Sequence, residues 1–566
     1  GTSTCLKRIK YRSRLSMKSS SERTSSSCSH SFPDTAELEF VASNEGNEGG
    51  YQQRISTMED HGERVVPLAK RVAVVGVGSV GLTALKWCRE RGLEVVGYEK
   101  EHACGGVWHQ GTQHSPAYDS LFTNSSRTLM ELSDFPFPFE TSQVFPKHAE
   151  ILQYYQAYQD HFDLGKYIKW NTAVRCVEKL QEKGIWRVET EHGDVDYFDA
   201  VLVCTGKLWD PRLPTWAMPA NVKAKTPELD VLHAKEYRNP ARFRGKSVVI
   251  VGIGNSALDI ALELSTHDDI DVSISFRRGT SIVPTKDSSG NPVDLKLAQR
   301  FLQYNVPTQL RRAYLFWIVY STNKVFREYG LAEPPSGLFG PQSPSANLKQ
   351  TPEFLEQLRK GRIRFVPEYT GDTSKDQQGH TQLHMADGTT MRADAVICCT
   401  GYTLNLDKVL GPRESAEITR TATWENGRTV PWLRLYKSCM CPSDPTLFLC
   451  GFVTSFGNET CIGELQARWA SAILAGLIPA PKAEAVKSDL EVSEYFLHLS
   501  RPSISGFVRY IPYMDNLAKD LGAVPKVSFW HDPAMFFRIL FNPVTSAQFR
   551  LYGVDALPRE KLISRL

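Results

Sequence analysis

The stretch "VAVVGVGSVG", residues 72–81, decides how this 566-residue chain folds. Mostly β-branched residues run into Gly76, Gly78 and Gly81, and apolar positions at helical spacing follow over 79–91. Glycines at G-x-G-x-x-G spacing carry weight only between a strand and a helix, with an acidic residue about 20 positions further on. Here "RVAVVG" reads as a buried strand and "LEVVGYEK" as the next one, ending near Glu99. Gly76 permits the tight turn, Gly78 lets backbone N–H groups approach a pyrophosphate, and Gly81 allows close helix–strand packing. The partial positive charge of the helix N-terminus favours the same anion. Glu99 can accept from both ribose hydroxyls and would repel a 2′-phosphate, which selects FAD or NAD over NADP. "CGGVW" at 104–108 separates those two. Gly105 and Gly106 bring a second glycine pair to the ligand and Trp108 a flat wall, an extension that NAD dehydrogenases lack. The first turn is therefore read as an FAD site.

The pattern returns as "SVVIVGIGNSA", residues 247–257, with Gly252 and Gly254 but Ala257 in the third place. A methyl group there moves the helix slightly off the strand, as NADP sites often do. The following strand ends "SISFRRG", so Arg277 and Arg278 stand where the first unit has Glu99. A guanidinium can fork onto a 2′-phosphate through charge-assisted hydrogen bonds. The second turn is read as the NADPH site. Two further buried strands echo one another, "FDAVLVCTG" (198–206) and "ADAVICCTGY" (393–402). This alternation predicts an α/β fold of two doubly wound Rossmann-like domains, the second inserted in the first, with a helical C-terminal region. The expected FAD domain covers 68–238 and 393–490, and the NADPH domain 239–392 with an insertion at about 290–360. Residues 491–566 form the helical region, and Pro-rich 333–352 reads as a loop.

The bulk of the chain excludes other classes. A net charge of +3 among 129 charged side chains points to no nucleic acid partner. Several of the twelve cysteines (Cys204, Cys398, Cys399, Cys450) lie in apolar runs and read as reduced core residues, which fits an intracellular protein. No metal site is expected. No apolar stretch approaches the ~20 residues of a membrane-spanning helix. The longest, "AYLFWIVY" at 313–320, reads as a buried segment, with an interfacial membrane contact as the minority reading. Residues 1–33 hold eleven serines and seven Lys/Arg against one acidic residue, and 34–61 reverse the sign. Residues 1–67 are therefore read as a disordered leader, in part like an organelle transit peptide.

With these residues in hand, the chain resembles the flavin-containing monooxygenases of the animal, dimethylaniline monooxygenase-like type. The resemblance covers about 70–557 and rests on "VAVVGVGSVGL", "CGGVW", "SLFTNSSRTLMELSDFPFP", "HAKEYRNPARFRGKSVVIVGIGNSALDIA", "FREYGL", "CTGY", "GFVTSFGN", "ELQARWA" and "YIPYMDNLAKDLG". It implies FAD reduced by NADPH, then O₂ addition to give a flavin hydroperoxide that oxygenates soft nucleophilic nitrogen or sulfur in a small amine or sulfide. By position, Gly76, Val77, Gly78, Ser79, Val80, Glu99, Val107, Trp108, Asn124 and Ser125 would hold FAD. Thr123, Asn124, Ser256, Ala257, Leu258 and Asp259 would face NADP, with Asn255 in the same turn. Asn124 is the candidate catalytic residue: a neutral donor–acceptor can hold flavin and nicotinamide without protonating the intermediate. No nucleophile–base motif such as G-x-S-x-G accompanies these residues.

One segment departs from the family. Its identifier, F-x-G-x-x-x-H-x-x-x-Y/F, aligns with "PELDVLHAKEY" (227–237), where His233 and Tyr237 match but Pro227 and Leu229 replace Phe and Gly. Alternatives at this stage are Baeyer–Villiger ketone oxygenation, an uncoupled NADPH oxidase making H₂O₂, and a non-catalytic flavoprotein. The resemblance leaves open a peripheral contact with the endoplasmic reticulum membrane, a cytosolic location and a homodimer.

Overall fold

The computed structural model describes residues 66–334, 345–348, 351–423, 429–455, 457–497 and 507–566. Ten of its strands build two five-stranded parallel sheets. In chain order they are β1 (Arg71–Val75), β2 (Glu94–Tyr98), β3 (Ile168–Lys169), β4 (Ala200–Val203) and β5 (Asp230–His233). These are followed by β6 (Ser247–Val251), β7 (Asp271–Ser275), β8 (Ile363–Val366), β9 (Ala395–Cys398) and β10 (Leu447–Leu449). The first sheet has the order β10-β4-β1-β2-β3 and the second β8-β7-β6-β9-β5. In each, the strand that ends in a glycine turn lies in the middle. Val74 pairs with Gly97 in the first sheet as Ile250 pairs with Ile274 in the second. Two doubly wound Rossmann-like units are thus confirmed, and their central strands are mostly apolar, as in parallel sheets covered on both faces.

Sheet membership moves the expected boundaries. β5 lies before 239 and β9 after 393, yet both pair in the second sheet, with Ala395 opposite both Val248 and Asp230. The first sheet is completed only by β10, where Leu449 pairs with Val203. Each unit also carries a three-stranded antiparallel sheet just before its Cys-Thr-Gly strand, at 174–198 and 369–392. Of the Pro-rich stretch 333–352, residues 335–344 and 349–350 lie outside the described residues, but Ser345–Leu348 is a strand and not loop. It pairs in parallel with Ser281–Pro284. Residues 1–65 lie outside the described residues, and with them nearly all of the leader expected over 1–67.

Residues 64–566 form one compact unit. Helix α1 (Ser79–Glu90) runs from the first glycine turn and α2 (Asn255–Ser265) from the second. The apolar run 313–320 falls in helix α3 (Thr308–Glu328) and is mostly not buried, contrary to expectation: Val319 is buried, but Trp317 is 74% exposed and Phe316 and Tyr320 are exposed too. The apolar residues there follow one another around the whole helix, so one contacting face cannot cover them. The C-terminal region is helical as read, with helices at Tyr510–Asp520 and Pro533–Phe541. No helix among the described residues is long and apolar enough to cross a membrane.

Helix α4 (Glu459–Leu474) lies against α1, and a Cβ on Gly463 would come within 2.5 Å of Val80 Cγ2. Beside this contact a buried ionic cluster surrounds Trp87. Lys86, fully buried, pairs with Asp134 at 2.6 Å, Arg550 pairs with Asp134 at 2.8 Å, and Asp555 holds Arg91 and Arg468 at 2.8 and 2.7 Å. These pairs fasten the C-terminal residues to the helix that begins at the first glycine turn.

One of the tightest points of the fold lies under α1. A Cβ on Gly81 would stand 2.0 Å from the carbonyl oxygen of Gly76, which is backbone and cannot move aside. Gly81→Ala should therefore destabilise the protein by about 1–3 kcal/mol. Flavin retention after gel filtration should fall with it. An unchanged thermal midpoint together with full flavin content would show that the helix can shift without cost.

Candidate functional site

The first glycine turn opens into a cavity of about 1040 Å³. That volume lies at the upper end for small-molecule and cofactor sites. Gly76, with φ of +88°, has no room for a side chain because a Cβ would lie 2.9 Å from the Cys204 carbonyl oxygen. Gly78, Ser79 and Val80 line the cavity, and no side chain caps α1. The first N–H groups of a helix have no partner within it, so this end offers donors and positive potential to an anion. Val77 and Gly81 are buried behind them.

Glu99 stands at the end of β2. Its Oε2 accepts the Val77 N–H at 2.7 Å and its Oε1 the Glu101 N–H at 3.0 Å. Burial pushes its pKa up, and the two N–H donors pull against that shift. A carboxylate offers about four lone-pair sites, so two remain for ribose hydroxyls. Gly106 packs on the turn, its Cβ position only 3.2 Å from Gly78 Cα, and Val107 and Trp108 continue the cavity wall. Two bare backbones facing each other across a cavity with an anion-seeking helix end fit the adenine dinucleotide half of FAD.

Thr123, Asn124 and Ser125 form another wall. The Thr123 hydroxyl donates to the Ser125 carbonyl at 2.8 Å, and the Ser126 N–H donates to Asp294 Oδ2 at 2.6 Å. Asp294 lies in the insertion, buried so that its pKa is raised, and it fixes the loop that presents Asn124. Asn124 itself is exposed on the cavity, and its amide makes no hydrogen bond among the described residues.

The second turn reaches the same cavity through Asn255, whose Oδ1 accepts the Asn347 N–H at 2.8 Å. Gly252, at φ +123°, is forced by the Cys399 carbonyl 2.4 Å from its Cβ position, whereas a Cβ on Gly254 would meet nothing within 4 Å. Bare backbone thus faces open space at Gly254, and no side chain caps α2. The stretch 256–259 does not present itself as one surface. Ser256 is exposed, but Ala257 and Leu258 are fully buried and Asp259 accepts from the Tyr118 hydroxyl at 3.1 Å. The first turn of α2 winds those two side chains back onto β6, so only backbone there is left for a ligand. Arg277 and Arg278 are exposed just beyond β7.

Several residues at the site escape a motif reading. Arg212 donates to the Thr400 carbonyl at 2.8 and 3.1 Å, and burial together with the nearby Arg277 charge lowers its pKa. It adds a third guanidinium at the arginine pair, from a segment with no signature of its own. Lys207 and Glu459 form a 2.9 Å ion pair on the cavity wall, and burial lowers the Lys207 pKa. In the altered identifier, Leu229 is a core residue, His233 Nε2 lies 3.0 Å from the Gly401 carbonyl, and the Tyr237 hydroxyl donates to Glu263 at 2.6 Å. The segment therefore ties β5 to the Cys-Thr-Gly end of β9 and to α2.

Residues 69–558 match the family described as Flavin-binding monooxygenase-like. The chain belongs to this family. It is 32% identical to flavin-containing monooxygenase 5 of Rattus norvegicus over 509 residues, 86% of this chain and 89% of the relative. Dimethylaniline monooxygenase (N-oxide-forming) 4 of Oryctolagus cuniculus is also 32% identical, over 86% of both chains. Among solved structures, S-allyl-L-cysteine S-oxygenase from Allium sativum shares the fold with a TM-score of 0.53 at 21% identity, over 88% of this chain and 97% of that one. The protein is a flavin-dependent monooxygenase.

In this monooxygenase, Glu99→Ala should weaken FAD binding about tenfold to a hundredfold, since a hydrogen bond to a charged group is worth about 1.5–3 kcal/mol. Fluorescence titration of the apoprotein with FAD measures it. An unchanged dissociation constant would remove Glu99 from the site.

Proposed function

We propose that the protein oxygenates soft nucleophilic nitrogen or sulfur in small amines or sulfides, using FAD, NADPH and O₂. The observation that carries this reading is one cavity lined from both glycine turns, by Gly78, Ser79 and Val80 on one side and Asn255 on the other. When bound, FAD accepts two electrons from NADPH and supplies the means to pass one oxygen atom of O₂ to the substrate. The chain's own part is to bind, orient and shield. The backbone of Gly76–Val80 would hold the pyrophosphate, Glu99 the ribose, and Gly106, Val107, Trp108 and Ser125 the remaining wall. Gly252, Gly254 and Asn255 would hold the second dinucleotide, with Arg277, Arg278 and Arg212 at its 2′-phosphate.

Asn124 is suited to the reacting end because its amide is free and cannot act as an acid. Asp294 acts through it by fixing the loop. The N-oxide-forming relative supports nitrogen oxygenation, and the garlic S-oxygenase has a sulfur substrate on the same fold. The N-oxide-forming relative favours this reading over ketone oxygenation. The exposed Phe316, Trp317 and Tyr320 on α3 would supply a peripheral membrane contact.

Losing one arginine, as in Arg277→Ala, should raise the NADPH KM about tenfold to a hundredfold and leave NADH nearly unaffected. Equal losses with both coenzymes would assign the arginine another role. Asn124→Ala should keep FAD, and its reduction by NADPH should stay within about tenfold, because hydride transfer depends on placement by the two domains. Its yield of oxygenated amine or sulfide per NADPH should collapse while H₂O₂ rises. A variant that keeps the parent's product yield would rule out this role.

A further inference from the structure

Four buried cysteines that oxygenation does not use gather behind the first glycine turn. Cys204 and Cys450 follow the neighbouring strands β4 and β10, and the Cys450 N–H donates to the Val203 carbonyl at 3.0 Å. Cys439 returns alongside β10, where the Leu449 N–H donates to its carbonyl at 2.7 Å. The sulfurs of Cys439 and Cys450 are 3.8 Å apart. Cys88 approaches from α1, and burial with the nearby Cys450 pushes its thiol up to about 12. Cys204 and Cys450 are also lining residues of the flavin cavity, which places a small oxidant in that cavity beside them.

The cluster is not uniform. Contacts with the sulfurs of Cys204 and Cys439 hold the Cys450 thiol down, at about 5. Burial pushes Cys439 up, and Cys204 is raised by its hydrogen bond with Cys450 and by burial. Two sulfurs in contact, one of them on a residue of the cavity wall, supply the pair that an attacking and a resolving cysteine need. Two other buried cysteines provide a contrast. Cys461 donates to the carbonyls of Leu129 and Glu131, and Cys441 lies against Ser443, with no second sulfur in either contact.

We infer that Cys439 and Cys450 form a redox-active dithiol, closed to a disulfide by hydrogen peroxide that reaches Cys450 through the flavin cavity. The Cys450 sulfur gives up its proton and attacks one peroxide oxygen; an S–O bond forms, the O–O bond breaks, and the leaving hydroxide takes up that proton as water. Sulfur loses two electrons and peroxide gains them. The Cys439 thiol then attacks the resulting sulfenic acid; the S–S bond forms, the S–O bond breaks, and the departing hydroxide and the thiol proton leave as water. Two thiols and one peroxide give one disulfide and two waters. A disulfide measures about 2.05 Å, so the sulfurs need to close by less than 2 Å.

The test uses FAD-loaded protein exposed to graded hydrogen peroxide, quenched in acid, denatured, alkylated with N-ethylmaleimide and mapped by mass spectrometry without reductant. The peptides carrying Cys439 and Cys450 should become joined, two hydrogens lighter than their sum. This should occur at peroxide doses at least about tenfold below those at which Cys441 or Cys461 loses its label, since reactivity follows thiolate character and access. Dithiothreitol should restore both labels, and Cys450→Ser should leave Cys439 alkylatable at the same doses. Retention of label on Cys439 and Cys450 for as long as on Cys461 would overturn the inference, as would a link of Cys450 to Cys204 alone.

Discussion

The distance between α1 and β1 sets the terms for the rest of the molecule. With no side chain at Gly81, the helix rests on the Gly76 carbonyl, and its N-terminus is brought to the sheet edge beside Glu99. From that placement follow the exposed helix donors, the bare groove between Gly78 and Gly106, and the seat for a dinucleotide. The second turn meets the same requirement less strictly. Ala257 fits into its core fully buried, while the tight contact is moved to Gly252 against the Cys399 carbonyl.

Holding α1 in this position falls to groups far away in the chain. Trp87 sits among the cations Lys86, Arg91, Arg468 and Arg550, each within 5.5 Å of its ring. Asp134 and Asp555 balance them. Buried ion pairs are weak evidence for stability, because desolvation offsets the attraction. Their geometry is directional all the same, and breaking a pair would leave a charge buried without compensation. The cluster thus specifies how α1, α4 and the C-terminal segment fit together.

The strand–turn–helix units were legible because their signals are local: β-branched runs, glycine spacing, and the charge that ends the second strand. The echo of "FDAVLVCTG" in "ADAVICCTGY" also held true, since the two segments supply β4 and β9 at equivalent places in the two sheets. The boundaries failed because a sheet's edge strand is assigned by pairing, which a linear pattern does not contain. The two antiparallel sheets were missed although their turns carry Gly184, Gly193, Gly379 and Gly388, all at positive φ. Their strands are short, and their partly exposed faces give weak alternation. At the cavity, Glu99 and Asn124 stand in stretches that motifs mark, whereas Arg212, Lys207 and Asp294 come from separate segments that only folding brings together. The apolar run in α3 shows the limit of composition: eight residues reveal hydrophobicity but not which side, if any, has a neighbour.

The order of strands along the chain has a consequence for biosynthesis. Everything in the second sheet lies between Asp230 and Cys398, so it can close as soon as that stretch has left the ribosome. The first sheet, although its strands begin at Arg71, waits for Leu447–Leu449, then for α4, and finally for Arg550 and Asp555. Domains generally fold from the N-terminal end during synthesis at about 5–20 residues per second. Here that order is reversed, and the half-made flavin unit must be kept from aggregating for roughly ten to thirty seconds after its neighbour is complete.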